Sequence, residues 1–369
     1  MRVAFDHQAV CMQSYGGISR YFTRIAEHLI ALDIDAHFFS SIHRNFYLDE
    51  LPKSAVSGKK LNSYPPKSFR LIQEFNRLAG KLAMQRWRPD VVHETYYAKK
   101  TSSPRGCPTV LTVYDMIHEL FPDSFSSRDN TAHVKRIAIE RADHVVCISQ
   151  NTRDDLVRLL GVPEPKVSVV HLGFEKFLPN LRSSDRRDYS GARPFLLYVG
   201  SRVGYKNFSG MLRAISGCSR LIADFDIVAF GGGAFTTSEL ATIRQLGFKA
   251  EQVRQAGGGD SELGILYQSA AAFVYPSVYE GFGLPPLEAM AHSCPVISSN
   301  TSSMPEVIGD AGAFFDPLNP EDMAAAIERV VYDSGVIASF QALGHERLTH
   351  FSWQRCAAQT LSVYKTLQR

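Results

Sequence analysis

The stretch AAFVYPSVYEGFGLPPLEAMA, residues 271–291, shows how this chain folds. It begins with a short apolar run that Pro276 and Ser277 end, and such a run is typical of a strand buried on both faces. Pro285 and Pro286 suit the first turn of a helix, which LEAMA would continue. Strand, loop and helix in this order form half of a β-α-β unit, the repeating unit of parallel sheets.

The same alternation extends along the whole chain of 369 residues. Each half contains roughly six short apolar or β-branched runs, with helical patterns between them. The pattern predicts an α/β protein with two doubly wound, Rossmann-like domains that face each other across a cleft. The helical patterns include residues 18–31, 131–141, 207–217 and 321–333.

The chain is too long for one domain of the usual size of roughly 100–200 residues. We predict a first domain over residues 1–180 and a second over residues 194–350. The polar stretch 180–193 has no apolar periodicity and is predicted to be the linker. Residues 351–369 are predicted to form a C-terminal helix that packs back toward the first domain.

Composition excludes several classes of protein. No apolar run approaches the roughly 20 residues that span a bilayer, and MRVAFDHQAV is expected to be a strand rather than a signal peptide. The six cysteines are scattered, which argues against a zinc site or a disulfide framework and fits the cytoplasm.

Residues 51–110 hold 12 Lys and Arg against 3 Asp and Glu, so this region is expected to face an anionic surface or partner. The remaining chain is not basic, which argues against nucleic-acid binding.

The segment 67–89 within this basic region predicts an amphipathic helix. Such a helix can lie on an anionic membrane, or its apolar side can pack on the first sheet while the bases are solvated. Both can hold at once. The apolar face is formed by Leu71, Ile72, Phe75, Leu78 and Leu82, and the basic side by Arg70, Arg77 and Lys81.

The chemistry of the second half centres on two glutamates in the opening stretch. Glu280 lies in the loop and Glu288 near the helix start. Gly281 and Gly283 allow the backbone to come close to a ligand, and the helix start offers free N–H groups to an anion. A carboxylate accepts two hydrogen bonds, which suits the vicinal hydroxyls of a sugar or ribose. The loop is therefore a candidate site for a sugar, a diphosphate and a ribose.

With these residues in place, the sequence resembles retaining GT-B glycosyltransferases of family 4. EGFGLPPLE matches the family's pair of glutamates separated by seven residues. The resemblance covers nearly the whole chain and is strongest to bacterial enzymes of surface polysaccharide synthesis, many of them mannosyltransferases. The other segments that carry it are GGISRY, TVYDMIHELFP, YVGSRVGYKN, FGGG, PVISSNTSSMPEVIGDAG and FSWQRCA.

The resemblance implies a role for each matching residue. Glu280 would bind the hydroxyls of the donor sugar and Glu288 the ribose diol. Arg202 and Lys206 would neutralise the diphosphate, whose charge grows as the glycosidic bond breaks. The implied donor-binding residues are Gly16, Gly17, Gly200, Gly281, Phe282, Gly283, Leu284 and Glu288.

The first domain matches the family less closely. Family members often have a histidine where this sequence has Tyr114, within Thr112-Val113-Tyr114-Asp115. Asp115 and His118 are therefore candidates to orient the acceptor or the donor sugar, while His118 can equally pack locally. His93, where the family often has another histidine, has both a structural and a functional interpretation.

The resemblance implies a retaining, metal-independent hexosyltransferase without a cofactor other than its nucleotide-sugar donor. The best-supported donor is GDP-mannose, and the acceptor would be a polysaccharide or a lipid-linked oligosaccharide, as in O-antigen synthesis. Three alternatives remain: a transferase that uses a UDP-sugar, a glycoside hydrolase, which also needs two carboxylates, and a non-catalytic protein that binds nucleotide sugars. The D-x-D sequences at Asp33 and Asp224 lie at the amino ends of strands, where a metal site is not expected.

Overall fold

A computed structural model describes residues 1–176 and 193–368. Thirteen strands are found in these ranges, and each predicted apolar run contains one of them. The strands are β1 (Arg2–Phe5), β2 (Asp35–His43), β3 (Val56–Lys60), β4 (Val91–Glu94), β5 (Thr109–Val113), β6 (His144–Cys147), β7 (Val167–Val169), β8 (Phe195–Val199), β9 (Asp226–Phe230), β10 (Val253–Ala256), β11 (Ala272–Tyr275), β12 (Val296–Ser299) and β13 (Gly312–Phe315).

Helices connect almost all of these strands, as parallel pairing requires. The α-helices are α1 (Gln8–Met12), α2 (Gly17–Ala31), α3 (Phe69–Trp87), α4 (Ile117–Leu120), α5 (Thr131–Arg141), α6 (Gln150–Leu160), α7 (Phe208–Gly217), α8 (Ser219–Asp224), α9 (Thr237–Gln245), α10 (Asp260–Ser269), α11 (Leu284–Ala291), α12 (Met304–Ile308), α13 (Pro320–Val331), α14 (Ser334–Leu348) and α15 (Trp353–Thr366).

The chain forms two compact units, each built on one parallel sheet. The first sheet has the strand order β3-β2-β1-β4-β5-β6-β7, and the second has the order β10-β9-β8-β11-β12-β13. In each sheet the order reverses once, beside β1 and beside β8, which makes both sheets doubly wound. The predicted fold class of two Rossmann-like domains, the GT-B fold, is confirmed.

Strand β3 is the one strand that the sequence pattern did not predict. Its sequence is VSGKK, with a single apolar residue, and it lies at the edge of the first sheet beside β2. An edge strand is covered less than a central one, so it lacks the apolar run by which the other strands were recognised.

The C-terminal helix α15 belongs to the first unit, which consists of Met1–Leu120, Phe125–Gly173 and the described part of Ser352–Arg369. Trp353 at its start lies 6.3 Å from the ring of Tyr21 in α2. The second unit contains Phe121–Ser124 and the described part of Phe174–Phe351. Apart from residue 193, the predicted linker over residues 180–193 lies outside the described residues.

Helix α3 buries a face that differs from the apolar face identified in its sequence. The buried residues are Ile72, Asn76, Gly80 and Met84, whereas Leu71 is 75% exposed. Of the two interpretations of the apolar side of α3, packing on the first unit therefore holds only for Ile72. None of the described helices has both the length and the apolar composition that a membrane span requires.

His93 on β4 connects the first sheet to α15. Its Nδ1 lies 2.6 Å from the Tyr364 hydroxyl and its Nε2 2.8 Å from Thr112 Oγ1. The ring is completely buried, and burial lowers the pKa of His93 to about 3. These contacts are those of a structural residue, which is one of the two interpretations given for His93 from the sequence.

We predict that His93 makes the first unit sensitive to acid. The folded pKa lies below the value of about 6.5 for an unfolded chain, so its stabilising effect is complete above pH ~6.5 and is lost as the pH falls toward ~3. Denaturant titrations between these values should show a weaker pH dependence for His93→Gln than for the wild type. His133→Gln, at an exposed position of α5, is the control and should keep the wild-type slope. Equal slopes for His93→Gln and wild type would contradict this account.

Candidate active site

Three loops meet at the carboxyl edge of the second sheet, after β8, β9 and β11. Contacts between the loops join them: the amide of Val278 donates to the carbonyl of Tyr205 at 2.7 Å, and Lys206 Nζ lies 2.6 Å from Glu280 Oε1. In a doubly wound sheet this edge, beside the reversal of strand order, is where ligands bind. The loops therefore place a charged pair where the fold offers a binding site.

Glu280 is fixed from both its backbone and its side chain. Its amide donates to Ser302 Oγ at 3.1 Å, and its carbonyl accepts hydrogen bonds from Ser302 Oγ and Ser303 Oγ at 2.5 and 2.9 Å. The residue is 7% exposed, and its carboxylate is paired with Lys206. A buried carboxylate held in this way is preorganised to accept hydrogen bonds from a ligand's hydroxyls.

A buried tyrosine stands beside each glutamate of the motif. Burial, and secondly the Glu280 carboxylate, raise the pKa of Tyr275 well above its usual range. Burial and Glu288 do the same for the pKa of Tyr267, whose hydroxyl donates to Glu288 Oε2 at 3.3 Å. Both hydroxyls stay protonated and so remain hydrogen-bond donors. The sequence analysis missed both residues; the position of Tyr275 at the end of β11 was the available signal.

The backbone of the turn between Glu280 and α11 favours glycine at its last position. Gly283 has a φ of 97°, and a Cβ there would lie 2.5 Å from Met304 Cε. Phe282 is buried and packs its ring against Phe351 at 5.7 Å, so its side chain belongs to the core. Leu284 is the first residue of α11, and the turn presents backbone rather than side chains at the helix start.

Arg202 is bound to the loop after β9 and to Glu239. Its Nε donates to Glu239 Oε1 at 2.6 Å, its Nη1 to the Gly231 carbonyl at 2.9 Å, and its Nη2 to the carbonyls of Gly233 and Ala234, both at 3.1 Å. The side chain is only 4% exposed. In this arrangement Arg202 holds the loop after β9, and its contact with a diphosphate stays a prediction.

The backbone of the loop that Arg202 holds favours glycine. Gly231, Gly232 and Gly233 have φ values of 91°, 69° and 72°, a region that side chains rarely adopt. The amide of Gly200 donates to the carbonyl of Phe230 at 2.9 Å, at the entry to this loop. Partial burial raises the pKa of Glu239, but hydrogen bonds from Arg202 and Thr236 outweigh it and lower the pKa overall, so Glu239 remains the anionic partner of Arg202.

The candidates of the first unit have mainly local contacts. Asp115 Oδ1 accepts from the amide of Ile117 at 3.0 Å and lies 3.8 Å from the buried Lys135 ammonium. His118 stacks on Phe125 at 4.0 Å, as in the local-packing alternative. The Tyr114 hydroxyl donates to the carbonyl of Thr95 at 3.2 Å, so it too is bound within the first unit.

The glycines of the first unit lie at the start of α2. Gly16 precedes the helix, and a Cβ there would overlap the side chain of Gln13, whereas Gly17 has open space around it. Tyr15 is 63% exposed and stacks on Phe46 at 4.5 Å with an interplanar angle of 3°. The outer face of Tyr15 is a flat apolar surface next to the glycines, which sequence analysis had not singled out.

Comparison with known proteins agrees with this arrangement. A model described as Glycosyltransferase Family 4 matches residues 15–176, and one described as Glycosyl transferases group 1 matches residues 183–342. The chain belongs to glycosyltransferase family 4. The resemblance drawn from the sequence is thereby confirmed, and the protein is a glycosyltransferase.

Relatives of this glycosyltransferase include enzymes of polysaccharide synthesis. The chain is 26% identical over 370 residues to O-antigen chain mannosyltransferase B of Escherichia coli, covering 95% of this chain and 96% of that one. It is 25% identical to O-antigen chain mannosyltransferase RfbU of Salmonella typhimurium, covering 84% and 85%. The crystal structure of Anabaena Alr3699/HepE in complex with UDP and glucose superimposes with a TM-score of 0.72 at 18% identity, covering 99% of both chains.

We predict that Arg202 contributes more to stability than to donor affinity. Arg202→Met leaves the carbonyls of the β9 loop and Glu239 without their donor, and we expect a loss of about 2–3 kcal/mol in the unfolding free energy. Arg244→Met, at an exposed position of α9, should change it by less than about 0.5 kcal/mol. Urea unfolding measures the unfolding free energy of both variants. An Arg202→Met variant that is as stable as the wild type but no longer binds donor would support the original diphosphate role instead.

Proposed function

We propose that this glycosyltransferase is a retaining hexosyltransferase that moves mannose from GDP-mannose to a glycan or lipid-linked oligosaccharide in the synthesis of a surface polysaccharide such as O-antigen. The observation that carries the proposal is the Lys206–Glu280 pair in the loops after β8 and β11, with an N···O distance of 2.6 Å. The choice of mannose is supported by the names of the two bacterial relatives.

The second unit would hold the donor. The Glu280 carboxylate would accept hydrogen bonds from sugar hydroxyls, and Glu288 would accept those of the ribose diol. Lys206 has three N–H donors, of which Glu280 uses one, so the others can reach a phosphate oxygen. The α11 start and the backbone of Gly281 and Gly283 would add N–H groups to the same anion.

Catalysis on this site would be electrostatic. As the bond to the anomeric carbon breaks, negative charge grows on the diphosphate, and Lys206 stabilises it more in the transition state than in the ground state. In a front-face reaction a phosphate oxygen of the leaving group takes the acceptor proton, so no enzyme carboxylate needs to act as a nucleophile. The diphosphate charge would be neutralised by Lys206 and the helix start, and we propose that no metal ion or cofactor is required.

The first unit would bind the acceptor. Gly16 and Gly17 would form the loop beside donor and acceptor, with Asp115 and His118 as the side chains that orient a sugar. The exposed face of Tyr15 is suited to stack against an acceptor ring, since sugars present apolar C–H faces to aromatic rings. We propose that the enzyme works in the cytoplasm at the inner face of the membrane, where lipid-linked acceptors are available.

A second donor class is represented by the structural neighbour in complex with UDP and glucose. The contacts of Glu280 and Lys206 involve groups that all nucleotide sugars share, so a UDP-sugar would use the same site. A non-catalytic protein that binds nucleotide sugars would bind donor without turnover.

We predict that one nucleotide stabilises the protein without metal. A ligand at about 100 times its Kd adds roughly 2.7 kcal/mol to folded stability, which corresponds to several degrees in Tm. Thermal shifts with GDP, UDP, ADP and their sugar conjugates, first without and then with Mg²⁺, would identify the donor. Stabilisation by GDP-mannose is expected, and stabilisation by UDP-sugars alone would replace it with the alternative donor.

We predict that the charged pair controls the rate of transfer. Glu280→Gln and Lys206→Met should each lower kcat by roughly 10²–10³, the cost of losing one transition-state contact. Glu321→Gln and Lys249→Met change the same residue types at exposed positions of the second unit and should retain wild-type rates. NMR of the product should show the donor's anomeric configuration. Near-normal rates in both site variants would refute these roles, and an inverted product would refute the retaining mechanism.

A further inference from the structure

Helix α3 carries a continuous stripe of large apolar side chains on its exposed side. The exposed fractions are 75% for Leu71, 52% for Phe75, 50% for Leu78 and 60% for Leu82. Their spacing of four, three and four residues aligns them along one narrow face, over a length of about 16 Å. Isolated exposed apolar residues are ordinary, but a contiguous stripe of this kind indicates an interaction surface.

The opposite face of α3 fixes the rotation of the helix. Asn76 Oδ1 accepts from the amide of Ile42 at 2.8 Å, and its Nδ2 donates to the carbonyl of Ile42 at 2.8 Å. Asn76 is completely buried, and Ile72 and Met84 pack on the same side. Turning the helix to bury the stripe would break these hydrogen bonds and expose the packed face, so the stripe cannot be covered by the first unit itself.

Basic residues border the stripe on both sides. On the helix circumference Arg70 and Lys81 lie on one side of it and Arg86 on the other; Arg70 and Arg86 are exposed. Arg77 differs from the sequence expectation, because its Nε donates to Glu74 at 2.9 Å and its side chain is only 17% exposed. The bases available to a partner are therefore Arg70, Lys81 and Arg86.

The positive charge continues beyond the helix. Lys99 and Lys100, both exposed, line a cavity of about 320 Å³ together with Arg70. These residues lie in the region that holds 12 bases and 3 acids. The partner of this surface should be negatively charged and able to accept apolar side chains.

We propose that α3 docks the first unit onto an anionic lipid bilayer. The stripe would enter the boundary between headgroups and acyl chains, and Arg70, Lys81 and Arg86 would contact lipid phosphates. Large apolar residues on one face with bases beside them are the pattern of helices that lie in a membrane interface. A second copy of the chain is a less suitable partner, since a symmetric contact through α3 would bring like charges together.

Vesicle co-sedimentation tests the proposal. Wild-type protein should bind phosphatidylglycerol–phosphatidylcholine vesicles and should bind pure phosphatidylcholine vesicles much more weakly. Replacing Leu71, Phe75, Leu78 and Leu82 together by Ser should abolish binding. The combined Arg70→Glu, Lys81→Glu and Arg86→Glu variant should bind anionic vesicles about 100-fold more weakly.

Matched controls come from the second unit. Leu318→Ser is the control for the stripe, because it removes an apolar side chain that is 77% exposed. The control for the bases is a triple variant with the same change in net charge at exposed positions, Arg213→Glu, Arg244→Glu and Lys249→Glu. Both controls should bind vesicles like the wild type. Because the stripe is exposed, its Ser variant should keep the wild-type Tm, which shows that loss of binding is not loss of folding.

A second measurement reports on insertion. Tryptophan fluorescence of Phe75→Trp, made in a Trp87→Phe background because Trp87 also lies on α3, should be quenched by brominated lipids in anionic vesicles, whereas the buried Trp353 should not contribute. Wild-type binding that is indifferent to lipid charge, or absence of quenching, would overturn the proposal. So would a wild-type dimer in solution that the Ser variant converts to monomer without any vesicle binding. Transfer to a water-soluble acceptor should be unchanged in the α3 variants, so this test is independent of the enzyme's proposed function.

Discussion

Parallel pairing of buried strands is the constraint on which the rest of this structure depends. Parallel strands need a crossover between them, so helices cover both faces of each sheet and the strands become apolar on both sides. The crossovers also bring every loop that follows a strand to one edge. The polar residues after β8, β9 and β11 meet for this reason, although up to about 80 residues of sequence separate them.

At the carboxyl edge of the second sheet, the cost of burying an unpaired charge determines which charged side chains form pairs. Lys206 and Glu280 pair at 2.6 Å, and Arg202 pairs with Glu239 at the same distance. A buried ion without a partner is costly, so each cation is paired with a carboxylate of the protein. The two cations that the sequence grouped together thus have separate partners. Lys206 lies beside the motif glutamate, while Arg202 shapes the glycine loop.

The same principle separates the two sides of α3. Asn76 is buried because its amide completes hydrogen bonds to the backbone of Ile42, and the more hydrophobic Leu71 is left at the surface. Asn76 faces the core beside Ile72 and Met84, and an apolar stripe also faces outward, whereas the outward face of a surface helix is usually polar. This reversal is understandable if the outward face meets lipid rather than water.

The sequence by itself determined the α/β class and every strand of the two sheets except the edge strand β3, because apolar periodicity is a local property of the chain. It also determined the family, because the spacing of Glu280 and Glu288 is local as well. Only the tertiary structure decided which face of α3 is buried, which partner Arg202 takes, and that Tyr275 and Tyr267 stand beside the glutamates. A periodic pattern shows that a helix has an apolar side but not what that side contacts. Hydrogen-bond partners distant in sequence, such as Asn76 and Ile42 or His93 and Tyr364, are brought together only when the sheet forms.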